Sequence, residues 1–191
     1  MCYIVILLIQ LKMSAIKNKP TILKTIRISE DIDSLLKKDA VSKRTTTNAL
    51  IHSILTRYLE WDRLAERYGF ISVTQETFKT ILDKIEEEKL AEASRELGAR
   101  VPKDILLFWY GKTGVNGFIK YVSLLSNYAT FAHFEVTRSG SNYLVTAHHN
   151  LGAKWSSYLK LFLETALKST TGIIGEVETS GNSVSLSFTT L

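Results

Sequence analysis

The sequence predicts an α+β chain: an N-terminal β-α-α unit that two copies complete as an intertwined dimer, a helical connector, and a C-terminal β-β-α-β-β domain. Three observations predict it. The hydrophobic period switches from strand-like to helix-like between Lys24 and Leu36. A middle stretch carries helix-spaced apolar residues beside an acidic run, and two turn-bounded pairs of alternating segments flank an amphipathic stretch near the C-terminus. The corresponding ranges are 1–20 for an extension or arm, 21–68 for the β-α-α unit, 69–101 for the connector and 102–191 for an α+β domain that oligomerises or senses.

The opening "MCYIVILLIQLKM" has an apolar run of about ten residues, roughly half of what spanning a bilayer takes. It has no basic residues before the run and no small-residue cleavage site after it, so neither a secretory signal nor stable membrane insertion is expected. Met13 offers a second start of translation, which would make the first twelve residues an upstream extension. Lys17 and Lys19, before Pro20, read as a basic arm.

From Lys24 to Ser29 the alternation places Ile26 and Ile28 on one face of a strand and Thr25 and Arg27 on the other. Ser29 is then the N-cap of a helix with Glu30, Asp31 and Asp33 in its first turn and Ile32, Leu35 and Leu36 on one stripe. After a basic, hydroxyl-rich break, Thr46 caps a second helix in which Leu50, Ile51, Ile54, Leu55, Tyr58 and Leu59 recur every three or four residues, and Gly69 ends it. So short a unit has too little apolar surface for a core of its own, which is why a second copy is expected to pair its strand and cover Ile26 and Ile28.

The connector helix is capped near Thr74, bears Phe78, Ile81, Leu82 and Ile85 on one stripe, and is punctuated at its end by Gly98 and Pro102. A buried apolar run, a glycine-containing turn and a helix with Phe118, Tyr121, Val122 and Leu125 follow. The first hairpin turns at Ser139–Asn142, setting Val136 opposite Val145 and His133 opposite His148. Trp155, Tyr158, Leu159, Phe162, Leu163 and Ala166 form the stripe of the next helix, which Asn150 is placed to cap, and the second hairpin turns at Ser180–Ser183. His133, Glu135, Thr137, Thr146 and His148 share the opposite sheet face. They read as a polar surface or dimer contact, or, through His133, Glu135 and His148, as ligands of a transition metal.

Composition bounds the function. With 45% hydrophobic residues the chain is expected to fold, and its net charge of +5 is concentrated early: residues 14–61 hold nine Lys and Arg against five Asp and Glu, and residues 62–191 hold fourteen of each sign. A polyanion partner for the N-terminal part follows. Cys2 is the only cysteine, which excludes an intrachain disulfide and a cysteine-based zinc site and fits a cytoplasmic location. The glycines of "GKTGVNG" lack phosphate-loop spacing, and neither a Gly-x-Ser-x-Gly elbow nor a His-Glu-x-x-His pair occurs, so no enzyme and no cofactor are expected.

"KTIRISEDIDSLL" and "TTNALIHSILTRYL" together resemble a ribbon-helix-helix DNA-binding domain of the MetJ/Arc/CopG type, over a fifth to a quarter of the chain. The family usually has a glycine between its helices. "AVSKRTT" has none, so Ser42, Lys43 or Arg44 must take an uncomfortable backbone conformation. The resemblance implies a homodimer, extending to a tetramer, that inserts a two-stranded ribbon into the major groove of double-stranded DNA. Thr25, Arg27 and Leu23 would then read bases, Lys43, Arg44, Thr46, Thr47 and Asn48 would hold phosphates, and Ile26, Ile28, Leu35, Leu50, Ile54 and Tyr58 would form the dimer core. The implied function is a sequence-specific transcription regulator, a repressor in the simplest case, responding to an effector or protein partner. The alternatives are an antitoxin that autoregulates its operon while its C-terminal part binds a partner protein, and a metal- or ligand-responsive sensor. Nickel-sensing members of the family carry histidines in a C-terminal sheet domain, but their cysteine ligand has no counterpart here.

Overall fold

Among the described residues, regular structure begins where the acidic turn does. In the computed structural model, which describes residues 22–190, α1 spans Glu30–Ser42, with Glu30, Asp31 and Asp33 at the positive end of its dipole. Ser29 precedes it in extended conformation but makes no side-chain cap bond; its hydroxyl instead bonds to Asp31 and holds that carboxyl below its usual range. α1 ends in a left-handed turn without glycine. Arg44 takes φ +51°, and the Thr45 amide reaches back to the Ala40 carbonyl at 2.9 Å. α2, Thr47–Arg57, starts at Thr46, whose hydroxyl accepts from the Ala49 amide at 3.1 Å.

Among the described residues, no β-strand precedes α1. Residues 22–29 form no ladder, and every strand among the described residues lies between His133 and Thr189. The predicted β-α-α unit is therefore corrected. Alternation in Lys24–Ser29 assigns side chains to two sides of an extended segment, but a strand also needs a neighbour for its amides and carbonyls, and none pairs with this segment among the described residues. The ribbon-helix-helix assignment goes with it. So do the regulator that inserts a ribbon into the groove, its repressor form, and the DNA, homodimer and tetramer partners that rested on a paired ribbon. Leu23, Thr25 and Arg27 are exposed on a segment with no ribbon to carry them into a groove. Of the six residues assigned to a dimer core, Leu50 is buried, whereas Ile26, Ile28, Leu35, Ile54 and Tyr58 are exposed. The arm with Lys17 and Lys19 lies outside the described residues.

The chain divides into two compact units, Met1–Ile51 and His52–Leu191. In the second, α2 runs into a π turn, Tyr58–Asp62, and then α3, Arg63–Tyr68, which Gly69 ends at φ +89°. α4 spans Gln75–Lys84, with Thr74 accepting from the Thr77 amide at 3.1 Å as its cap. α5 runs for 24 residues, Glu87–Tyr110, straight through Gly98 and Pro102, so these residues do not end the helix as expected. Pro102 has no N–H to offer the Gly98 carbonyl, and the Ser169 hydroxyl of α7 approaches that carbonyl at 3.4 Å while also donating to the Ala166 carbonyl of its own helix at 3.2 Å. Shared between two carbonyls, that donor offsets a small part of the cost of an interior proline.

α6, Val115–Leu124, passes into a second π turn, Leu125–Ala129. Then come β1 (His133–Ser139), β2 (Asn142–His148), α7 (Ala153–Thr171), β3 (Glu176–Ser180) and β4 (Ser183–Thr189). The four strands are antiparallel in the order β1-β2-β4-β3, with His133 opposite His148 and Val136 opposite Val145. α7 begins after Gly152, so Asn150 does not cap it. It covers the sheet face of Val145, Ala147, Val184 and Leu186, all fully buried, and lies along α5 on its other side. The chain is thus α+β with its sheet at the C-terminal end. Lys154 brackets α7 to the end of α4, donating to the Asp83 and Ile85 carbonyls at 2.9 and 2.7 Å. Among the described residues, no helix is long and apolar enough to cross a membrane.

Candidate functional site

The rod formed by α2, the first π turn and α3 presents two different faces. Its inner face carries Trp61 and Ala65, both buried, and Tyr68 one turn on. Its outer face is set by the π turn, where the Arg63 amide bonds to the Tyr58 carbonyl five residues back. The wider turn places Tyr58 in line with Arg63, and Arg67 follows one α-helical turn later. Tyr58, Arg63, Glu66 and Arg67 line an open depression of 570 Å³. Tyr58 is 54% exposed, and Leu55 and Leu59, one turn before it and next to it in the chain, are 57% and 55% exposed, so exposed apolar side chains accompany the aromatic wall of the depression.

Beneath it lies an aromatic cluster. Trp61 meets Phe70, Trp109 and Tyr128 with ring centroids 5.1, 5.4 and 5.8 Å apart, and Tyr68 meets Phe70 and Phe108 at 5.6 and 5.9 Å. The two π turns are tied together where Tyr128 donates to the Glu60 carboxylate at 2.8 Å. Burial, then that bond, raises the Tyr128 phenol. The Arg57 guanidinium lies 5.6 Å from the Tyr128 ring and ion-pairs through its Nε with Asp62 at 3.2 Å. Arg67 sits 6.0 Å over Phe108, itself half exposed, and Arg63 uses only its Nε, on the Leu59 carbonyl at 3.0 Å. Among the described residues neither Arg63 nor Arg67 has an ion-pair partner.

Sequence reasoning placed none of Trp61, Arg63, Arg67, Phe108, Trp109 and Tyr128 in a site. The signal available was aromatic density in "YLEWDRLAERYGF" and "LLFWYG", but the register that assembles these residues depends on π turns, which leave no periodic trace in a sequence.

The predicted phosphate-binding set separates by role. Thr46 is a cap, Arg44 supplies the left-handed turn, Thr47 is half-buried, and Lys43 and Asn48 are exposed. The predicted metal ligands occupy one sheet face, yet among the described residues no group of three or more His, Cys, Asp or Glu is placed to hold a metal ion. His133 lies 3.8 Å from Glu135, while the His148 ring bonds to Ser183 at 2.9 Å.

His149, next in sequence, turns inward and is buried. Its Nδ1 accepts from the Leu151 amide at 3.2 Å, and Ser156 donates to the Gly181 carbonyl at 2.8 Å, which leaves the Ser156 oxygen to accept from Nε2–H at 3.0 Å. Only the neutral ring satisfies all three bonds. Burial, with a smaller push from His148, holds the imidazole below the usual histidine range. The unfolded chain therefore binds this proton more readily, so the stability from neutral His149 is complete above about pH 6.5 and is lost as pH falls below it. Thermal melts at pH 7.5, 6.5 and 5.5 are expected to show the gap between the parent and His149→Gln narrowing with acid. A constant gap would contradict the neutral network.

No protein-family model matches the chain, and no curated protein is similar to it.

Proposed function

We propose that the protein works by recognising another protein through the outer face of α2, the first π turn and α3, without catalysing a reaction. The observation that supports this is the run of half-exposed Leu55, Tyr58 and Leu59 leading into Arg63 and Arg67. Tyr and Arg are the side chains that most often anchor protein interfaces, because each combines a broad apolar surface with donors at its tip. Large apolar side chains held half in water on a regular helix gain from being covered. The rigid aromatic cluster beneath keeps this face shaped before any partner arrives, which lowers the ordering cost of binding. A reducing, cytoplasmic compartment belongs to the same reading, supported by Cys2 as the sole cysteine.

A photo-crosslinking residue at position 58 tests it. In cells the full chain is expected to crosslink to a discrete protein, and Leu59→Asp is expected to abolish that band, while a crosslinker at Glu178 on β3 gives none. Indifference to Leu59→Asp would defeat the proposal.

A further inference from the structure

The same depression identifies the chemistry of what it holds. We infer that it takes an acidic, amphipathic polypeptide segment, an inference that rests on the protein-recognition reading above. Two arginines of this unit are committed, Arg57 to Asp62 and Arg100 to Asp104 at 3.9 Å, and Arg95, Arg138, Arg63 and Arg67 have no carboxylate within ion-pair distance among the described residues; Arg63 and Arg67 differ from the other two in lining one depression together. They are separated by one helical turn and project from one face, so two carboxylates spaced along a bound chain can each meet a guanidinium. Arg67 is already stacked toward Phe108, which orients its plane and reduces the freedom it loses on binding.

Glu66 decides between acidic polymers. It lines the depression with the two arginines, so a chain bearing uninterrupted negative charge meets repulsion there. A segment that alternates acidic with apolar residues avoids this. Its carboxylates reach Arg63 and Arg67 while its apolar side chains cover Leu55, Tyr58, Leu59 and Phe108, whose exposures run from 46% to 57%. Charge complementarity and apolar rim therefore select one class of partner, and a bare polyanion satisfies only the first.

Fluorescence anisotropy with three labelled synthetic probes tests this on the full chain: a peptide alternating Glu with Leu and Phe, the same peptide with Gln in place of Glu, and polyglutamate. The alternating acidic peptide is expected to bind at least tenfold more tightly than either of the others at low salt, with its advantage over the Gln peptide shrinking at high salt. Arg63→Gln/Arg67→Gln is expected to remove that advantage while leaving the Gln peptide's binding unchanged, with circular dichroism confirming the fold. Polyglutamate binding as tightly as the alternating peptide would overturn the inference, since charge alone would then suffice. Equal binding of the acidic and Gln peptides, lost in Leu55→Asp/Leu59→Asp, would overturn the acidic class and leave the protein-recognition surface standing. Failure of all three probes, with the crosslink at position 58 intact, would likewise overturn only the acidic class. Failure of both would overturn the surface itself.

Discussion

Gly98→Val is expected to lower the main thermal transition, followed by circular dichroism, by roughly 6–12 °C, from an overpacking cost of about 3 kcal/mol. Gly98 is buried where α5 crosses α7, and a Cβ there would lie 2.6 Å from the Phe162 carbonyl oxygen and against the Thr165 hydroxyl. Thr165 can rotate away. The carbonyl belongs to the α7 backbone and moves only if the helices separate, which would unseat Ser94, whose hydroxyl donates to the Tyr158 carbonyl at 2.5 Å, and Ser169 on the Gly98 carbonyl. Even Gly98→Ala is expected to destabilise, although alanine is better than glycine in a helix by about 1 kcal/mol. A gain in stability for Gly98→Ala would mean that the helices do not approach so closely.

Trp61→Ala is expected to be more damaging, at about 3–5 kcal/mol, because it empties the centre of the aromatic cluster. Trp61 is 7% exposed and contacts Phe70, Trp109 and Tyr128, which come from three different segments of the chain. The indole is the floor on which the π turn rests, so its loss should also disorder Tyr58 and Arg63 above it. Trp61→Phe keeps a ring and should recover more than half of the loss. Chemical denaturation curves of the two variants against the parent measure this, and equal stability of the Ala and Phe forms would remove Trp61 from its central role.

Local chemistry was legible in the sequence, and long-range compensation was not. Thr46 and Thr74 were readable as caps, and Ser139–Asn142 and Ser180–Ser183 as hairpin turns, because each is decided by a few adjacent residues. The missing glycine after α1 pointed to the residues from Ser42 to Arg44, and Arg44 bears the left-handed conformation. Pro102 misled because what surrounds its turn of α5, including the Ser169 hydroxyl that approaches the Gly98 carbonyl, comes from a distant helix. The alternation at Lys24–Ser29 misled for the opposite reason: a period can be present without the ladder that would make it a strand. The candidate site escaped entirely, since the alignment of Tyr58 with Arg63 rests on a π turn that a strict helical period does not anticipate.

The open sheet has a bearing on how the protein behaves when crowded. With strand order β1-β2-β4-β3, both outer strands leave a row of backbone groups that no other strand among the described residues pairs, a row able to template fibril growth. β3 is only five residues long and carries Glu176 and Glu178, so stacking it in register with a second β3 would align carboxylates. β1 ends its exposed border with Glu135 and Arg138. These charges act as gatekeepers, and replacing Glu176 and Glu178 with threonine would trade electrostatic refusal for a β-prone edge and shorten the lag before amyloid-like aggregation.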